Sequence, residues 1–358
     1  MRFDYYTQYR QGFALFKSPF ERNLYALLFF FLIALPGLIT PFALGEMAYV
    51  FILCIASLGL MTLTGFTGQV SLGHAAFVAI GGYGHAWFMS KGLPLPLSLI
   101  LAAGVSASAG LLVGIPAIRV SGLYLAMVTM AFSIIVEQII GHWNSVTGGF
   151  TGLAVNDPTI FGMALGGPKA FYYFCLMALI AVLLVLLNVL RSGVGRALIG
   201  VRESEAASYA LGIPVEKMKV TAFALSAGIT GLAGGLLAHH LKYLTPDGFT
   251  LILSLELVLM VVIGGLGSLR GAVLGAVLIS LLPSAISRIK PFLTEGLAKQ
   301  FGLETFIFGL VLAFFVLFEP MGLNGRWIKL RTLLESFPIY RQDTFKRNKR
   351  YMKSERYR

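Results

Sequence analysis

Residues 47–84 read MAYVFILCIASLGLMTLTGFTGQVSLGHAAFVAIGGYG. The first eighteen, through Thr64, make an apolar run close to the roughly 20 residues a helix needs to cross a bilayer. From Thr64 to Gly84 the chain stays at membrane depth but becomes semi-polar and is broken by glycines. Backbone of that kind is tolerated in a membrane only where protein buries it or it lines a cavity. A later stretch, IGGLGSLRG at 263–271, interrupts another apolar run in the same way. Paired interruptions in two halves of a membrane protein point to a transport path and to an internal repeat.

Composition agrees with a chain that lives in lipid. Of its 358 residues, 57% are hydrophobic and 12% charged, whereas soluble domains carry about 25% charged residues. Mean hydropathy is +0.81. Glycine, 41 residues, exceeds the average of about 7%, as expected of helices whose backbones approach closely. The expected fold class is therefore an all-α integral membrane protein, a polytopic bundle of about ten transmembrane helices with glycine-broken segments. The ten spans are expected near 24–43, 47–64, 71–90, 94–117, 121–141, 170–190, 220–240, 251–266, 271–288 and 304–320. The first is read as a retained signal anchor, because its apolar run outlasts a usual signal-peptide core.

Charge sets the orientation. Of the formal net +12, the stretch from Met321 to Arg358 holds eleven basic and three acidic residues, or +8. In a soluble protein this would raise nucleic-acid binding; here it is read as a cytoplasmic tail, so no nucleic-acid partner is expected. With an even number of spans and the N-terminus inside, Arg2, Arg10, Lys17, Arg22, Arg119, the 191–219 loop and Arg270 all fall on the cytoplasmic side. That satisfies the positive-inside rule, so the topology is N-in/C-in. The expected division is a cytoplasmic segment 1–23, a permease domain 24–320 and a basic tail 321–358. Membrane lipid is an expected partner of that tail. Cys54 and Cys175 lie in apolar runs without metal-ligand spacing and read as packing residues.

The 191–219 loop, RSGVGRALIGVRESEAASYALGIPVEKMK, is too long for a connector. A short helix is expected around Ala197–Leu211, stopped at Gly212 with Pro214 close behind. It could lie on lipid headgroups. Glu203 and Glu205 favour a docking helix for a soluble partner instead, because anionic lipid would repel them.

Glu205-Ala206-Ala207 followed by Gly212 resembles the EAA loop of ABC importer permeases, with one residue more before the glycine than the common form. Four further blocks lie around it in order. They are Thr67–Phe77 (TGQVSLGHAAF), Arg119–Ala126 (RVSGLYLA), Trp143–Gly149 (WNSVTGG) and Val261–Gly271 (VVIGGLGSLRG). With Phe318–Leu323 (FEPMGL), these are similar to the LivM-type permeases of branched-chain amino acid ABC transporters. The resemblance implies a LivH-type second permease, two cytoplasmic ATP-binding subunits and a periplasmic solute-binding protein as partners, in a bacterial inner membrane. It implies cargo among the branched-chain amino acids, related small amino acids or amides, and Glu203, Glu205, Ala206, Ala207 and Gly212 as the ATPase-coupling residues. The chain has no G-x-x-x-x-G-K-[ST], so the ATP is expected to bind the partner subunits and no cofactor this chain.

Polar groups within the spans are the other candidates. Gln69, Ser71 and His74 stand in the first broken segment, and the alternative for His74 is a histidine bonded to the backbone of a neighbouring helix. Glu137 and Glu256 lie inside apolar spans, where a carboxylate is costly and faces the bundle interior or water. They could be a proton relay, which would make the chain a proton-coupled secondary transporter, or they could serve helix clamping or a partner interface. A third possibility is a membrane scaffold acting through its tail. His239 and His240 are adjacent and so point to different helix faces, and no metal site is expected. No hydrolytic constellation is present, so no catalytic residue is assigned. The four-residue glycine spacings Gly110/Gly114, Gly231/Gly235 and Gly267/Gly271/Gly275 read as helix-packing faces.

Overall fold

The apolar runs become long helices joined by short turns. The computed structural model describes residues 19–155, 159–160, 163–164, 167–289 and 322–336, with isolated positions between 306 and 317. Helices α1 (Pro19–Ala34), α2 (Pro41–Leu60), α3 (His74–Ser90), α4 (Leu95–Ala117) and α5 (Leu123–His142) come first. A single helical turn α6 (Asn144–Thr147) follows, then α7 (Pro168–Arg191), α8 (Gly193–Glu203), α9 (Glu205–Ala210) and α10 (Val215–Leu241). The described chain closes with α11 (Leu251–Gly264), α12 (Leu269–Ile289) and α13 (Gly322–Ser336). Two minimal antiparallel strand pairs interrupt the all-α pattern. β1 (Leu153–Ala154) sets Leu153 opposite Leu244 of β4 (Tyr243–Leu244). β2 (Thr159–Ile160) pairs with β3 (Met163–Ala164).

Among the described residues, seven helices are long and apolar enough to cross a membrane. Of the ten expected spans, 24–43 corresponds to a shorter apolar helix, Arg22–Gly37, and 71–90 to the 17-residue α3. The span expected at 304–320 lies outside the described residues, apart from isolated positions.

Helix α10 organises the bundle. Its sequence is rich in Gly, Ala and Ser, so its backbone can be approached on several sides, and it packs most extensively on α4, then α3, then α2. A Cβ added at Gly81 of α3 would lie 2.0 Å from the carbonyl oxygen of Gly231, and one at Gly234 would lie 2.0 Å from that of Val78. Side chains are excluded there because backbone meets backbone. The expected faces Gly110/Gly114 and Gly231/Gly235 do pack helices: the first pair meets Phe223 and Val220 of α10, the second Ser106, Leu99 and His85. Gly271 and Gly275 meet Gly264 and Met260 of α11. Gly267 departs from that expectation: it lies before α12 begins and has φ +82°.

The interior and exterior helices differ in their surroundings. The apolar window of α2 is 83% buried, whereas that of α7 is 28% buried, so α7 turns most of its surface outward. One end of the outlying α1 is fixed by α7. The Tyr172 and Tyr173 hydroxyls donate to the Leu32 and Ile33 carbonyls, both at 2.9 Å, filling acceptors that a helix C-terminus leaves without partners.

Candidate functional site

The 191–219 loop is two helices where one was expected. Ser204 takes an extended conformation (φ −163°, ψ 115°) and its Oγ accepts from the Ala207 N–H at 3.2 Å. A serine hydroxyl that caps the next helix competes with continuing the previous one, so the expected Ala197–Leu211 helix breaks there. Helix α8 buries Gly195, Leu198 and Val201 on one face. Leu198 enters an apolar cluster with Leu63, Phe77, Leu125 and Phe223, which seats the loop on the membrane bundle. Helix α9 stops at Gly212: the Gly212 N–H donates to Tyr209 and the Ile213 N–H to Ser208, at 2.9 and 3.0 Å. This is a Schellman stop, which requires the left-handed conformation that Gly212 adopts at φ +77°.

The five expected coupling residues all lie on this knob. Glu203, Glu205, Ala206, Ala207 and Gly212 are exposed, and beside them Leu211 is 80% exposed. Glu205 also reaches inward, to the Lys219 ammonium of α10 at 2.7 Å. The Lys219 side chain is 6% exposed, so this cation is nearly withdrawn from water and needs its carboxylate.

Beneath the knob, the two glycine-broken segments meet. Helix α2 ends in a π-helical turn, Met61–Gly65, and a Cβ at Gly65 would lie 3.0 Å from the Gly267 nitrogen. Met61 Sδ accepts from that Gly267 N–H at 3.3 Å. Arg202 of α8 reaches this junction: its Nη1 donates to the Gly65 carbonyl at 2.7 Å. A hydrogen bond from a charged donor contributes about 1.5–3 kcal/mol, and the partial exposure of Arg202 sets it toward the lower figure. Arg202 and Lys219 were legible in the sequence only as positive charges on one side; nothing in the pattern tells which basic residue of a loop turns inward.

Of the path candidates, Gln69, Ser71 and His74 are buried; Ser71 and His74 come together, whereas Gln69 Oε1 lies by the Thr67 hydroxyl. The His74 ring lies 3.1 Å from Ser71 Oγ through Nδ1 and 2.8 Å from Ser226 Oγ through Nε2. Ser226 donates its own proton to the Gly59 carbonyl at 2.6 Å, so it accepts from His74 and the proton is assigned to Nε2. His74 thus bonds to the Ser226 hydroxyl of α10 rather than to a helix backbone, and through Ser226 it ties α3 to α10 and α2. Glu137 and Glu256 are half-buried on α5 and α11. A contact absent from the sequence reading is His239 with His85, Nε2 to Nε2 at 2.7 Å, with Ser98 Oγ 2.8 Å from His85 Nδ1. His240 stacks on Tyr49 at 5.2 Å, so the adjacent histidines do diverge. Among the described residues no group of three or more His, Cys, Asp or Glu is placed to hold a metal ion.

Residues 42–317 match the family model of the branched-chain amino acid transport system permease component. The chain belongs to that family. The match takes in α2 through α12, and with them the knob and both broken segments. Among curated proteins, this permease is 35% identical over 272 residues to the high-affinity branched-chain amino acid transport system permease protein LivM of Salmonella typhimurium, covering 69% of this chain and 64% of that protein. It is 35% identical over 250 residues to LivM of Escherichia coli, covering 63% and 59%. A probable LivH of Methanocaldococcus jannaschii is 28% identical over 309 residues, covering 82% and 95%. The chain thus spans somewhat less than two thirds of the length of its LivM relatives. No solved structure matches it.

Proposed function

We propose that the chain is a membrane-spanning permease subunit of an ATP-driven, binding-protein-dependent importer of branched-chain amino acids or related small amino acids and amides. The observation that carries this reading is the α8–α9 knob: an exposed, acidic and apolar projection on a family permease, anchored by Leu198, Arg202 and the Glu205–Lys219 pair. Such a knob suits docking to a soluble ATPase, and the family's relatives are named as permeases of branched-chain amino acid transport. The partners are a LivH-type second permease, two ATP-binding subunits and a periplasmic solute-binding protein. The membrane is the bacterial inner membrane, crossed ten times with both termini inside, and 24–320 is the permease domain between a short cytoplasmic segment and a basic tail.

In this reading the ATPase pair closes against Glu203, Glu205, Ala206, Ala207 and Gly212, and the permease pair rocks. The cargo passes along the surface the two permeases share, with Gln69, Ser71, His74, Glu137 and Glu256 setting the polarity of this chain's side. The test is to tag the chain, extract it in mild detergent from its native membrane and identify what co-purifies. A second permease with P-loop ATPases is the expected result; a chain that purifies alone and transports without ATP overturns it.

A further inference from the structure

One side chain of the loop touches both glycine-broken segments. Arg202 Nη1 donates to the Gly65 carbonyl at 2.7 Å. A Cβ at Gly267 would lie 2.5 Å from that same Nη1, and one at Gly68 would lie 3.4 Å from Arg202 Cγ. The arginine therefore lies across the end of the first segment with its guanidinium against the turn of the second. We propose that Arg202 is the positioning residue through which displacement of the α8–α9 knob moves the two glycine-broken segments together. This rests on the reading of the chain as an ATP-driven permease and names a residue outside the expected docking set.

Four features fit Arg202 for that role. Its host helix cannot absorb a push by fraying. Leu198 holds α8 in the apolar cluster, while the Ser204 cap and the Glu205–Lys219 pair hold α9. The direct tie between the two segments is weak, since Met61 offers only a thioether sulfur as acceptor. A guanidinium holds five donors in a rigid plane, so it can stay on one carbonyl while its other edge bears on a second backbone segment. Lysine offers a single flexible point of contact. Among the described residues, Arg202 is also poorly compensated elsewhere: its nearest carboxylate there, on Glu203, is 3.9 Å away and largely exposed.

The experiment uses the assembled transporter, with this chain carrying Arg202→Ala or Arg202→Lys. Arg196→Ala is the control, removing an equally charged residue of α8 whose guanidinium, among the described residues, bonds locally to the Arg191 carbonyl. Two readouts are taken: leucine uptake per ATP hydrolysed in proteoliposomes, and backbone hydrogen exchange by mass spectrometry in detergent. In Arg202→Ala, uptake per ATP falls about tenfold, the factor one charged hydrogen bond carries, while hydrolysis and subunit co-purification persist. Exchange rises in 65–69 and 265–268 together and stays unchanged in 81–90. Arg202→Lys recovers part of the ratio, and Arg196→Ala matches wild type. Unchanged exchange in both segments overturns the clamp; raised exchange with a wild-type ratio overturns its part in coupling. Wild-type assemblies that show no ATP-linked uptake overturn the proposed function instead, and the exchange data still judge the clamp.

Discussion

Two regions of this molecule are built from glycine for opposite reasons. Where α3 meets α10, Gly81, Gly231 and Gly234 are ordinary helical residues whose missing side chains let two backbones touch. At the junction under the knob and on the knob itself, Gly267 and Gly212 have open or yielding surroundings but left-handed backbone, φ +82° and +77°. The first region is a permanent seam, since an atom added at Gly81 or Gly234 meets a carbonyl that cannot step aside. The second is a set of turns held by a few directional contacts, and contacts of that kind can be made and broken as a transporter cycles.

That contrast orders the expected effects of substitution. Gly81→Ala should be the most damaging, because the methyl must displace the Gly231 carbonyl; overpacking of this kind costs about 3 kcal/mol. The folded yield and melting temperature in detergent should drop before any transport assay is meaningful. Gly267→Ala should cost less in stability, roughly 1–2 kcal/mol of left-handed strain, because the Arg202 side chain it meets can move. Its loss should appear mainly in uptake per ATP. A Cβ at exposed Gly212 has nothing within 4 Å, so in Gly212→Leu stability should fall by only about 1–2 kcal/mol and membrane insertion should persist. ATP hydrolysis should nonetheless no longer drive uptake; normal uptake would remove α9 from the coupling surface. The smallest effect belongs to Glu205→Gln. The amide oxygen that replaces the carboxylate can still accept from the Lys219 ammonium, and the acidic side of the pair is half-exposed, so the melting shift corresponds to about 1 kcal/mol and shrinks further in high salt.

The sequence made the seam legible and the junction only partly so. Small residues at four-residue spacing announce a helix face, and Gly110, Gly114, Gly231 and Gly235 pack as that spacing implies. Gly267 shares the spacing with Gly271 and Gly275 but belongs to a turn, because the spacing rule assumes an unbroken helix. The stop at Gly212 was readable from a glycine followed closely by proline, whereas the break at Ser204 was not. A serine inside a helix-forming run gives no sign whether its hydroxyl will cap or face water. Long-range partners were the least legible: His85 with His239, separated by 154 positions, and Arg202 with Gly65, separated by 137. Both depend on how α10 and α8 settle against α3 and α2, which periodicity does not encode. His74, a residue of the first broken segment, proved to be bonded on both ring nitrogens by serines, a fixture of the bundle whatever part it has beside the path.

The central claim is that ATP acting at the α8–α9 knob drives transport. The most direct test reconstitutes the chain, with its co-purifying subunits and its solute-binding protein, in liposomes and follows leucine uptake with ATP or with a proton gradient as the sole energy source. Uptake should require ATP and the binding protein and be indifferent to collapse of the proton gradient. Uptake by the chain alone, driven by protons and abolished by Glu137→Gln or Glu256→Gln, would contradict it.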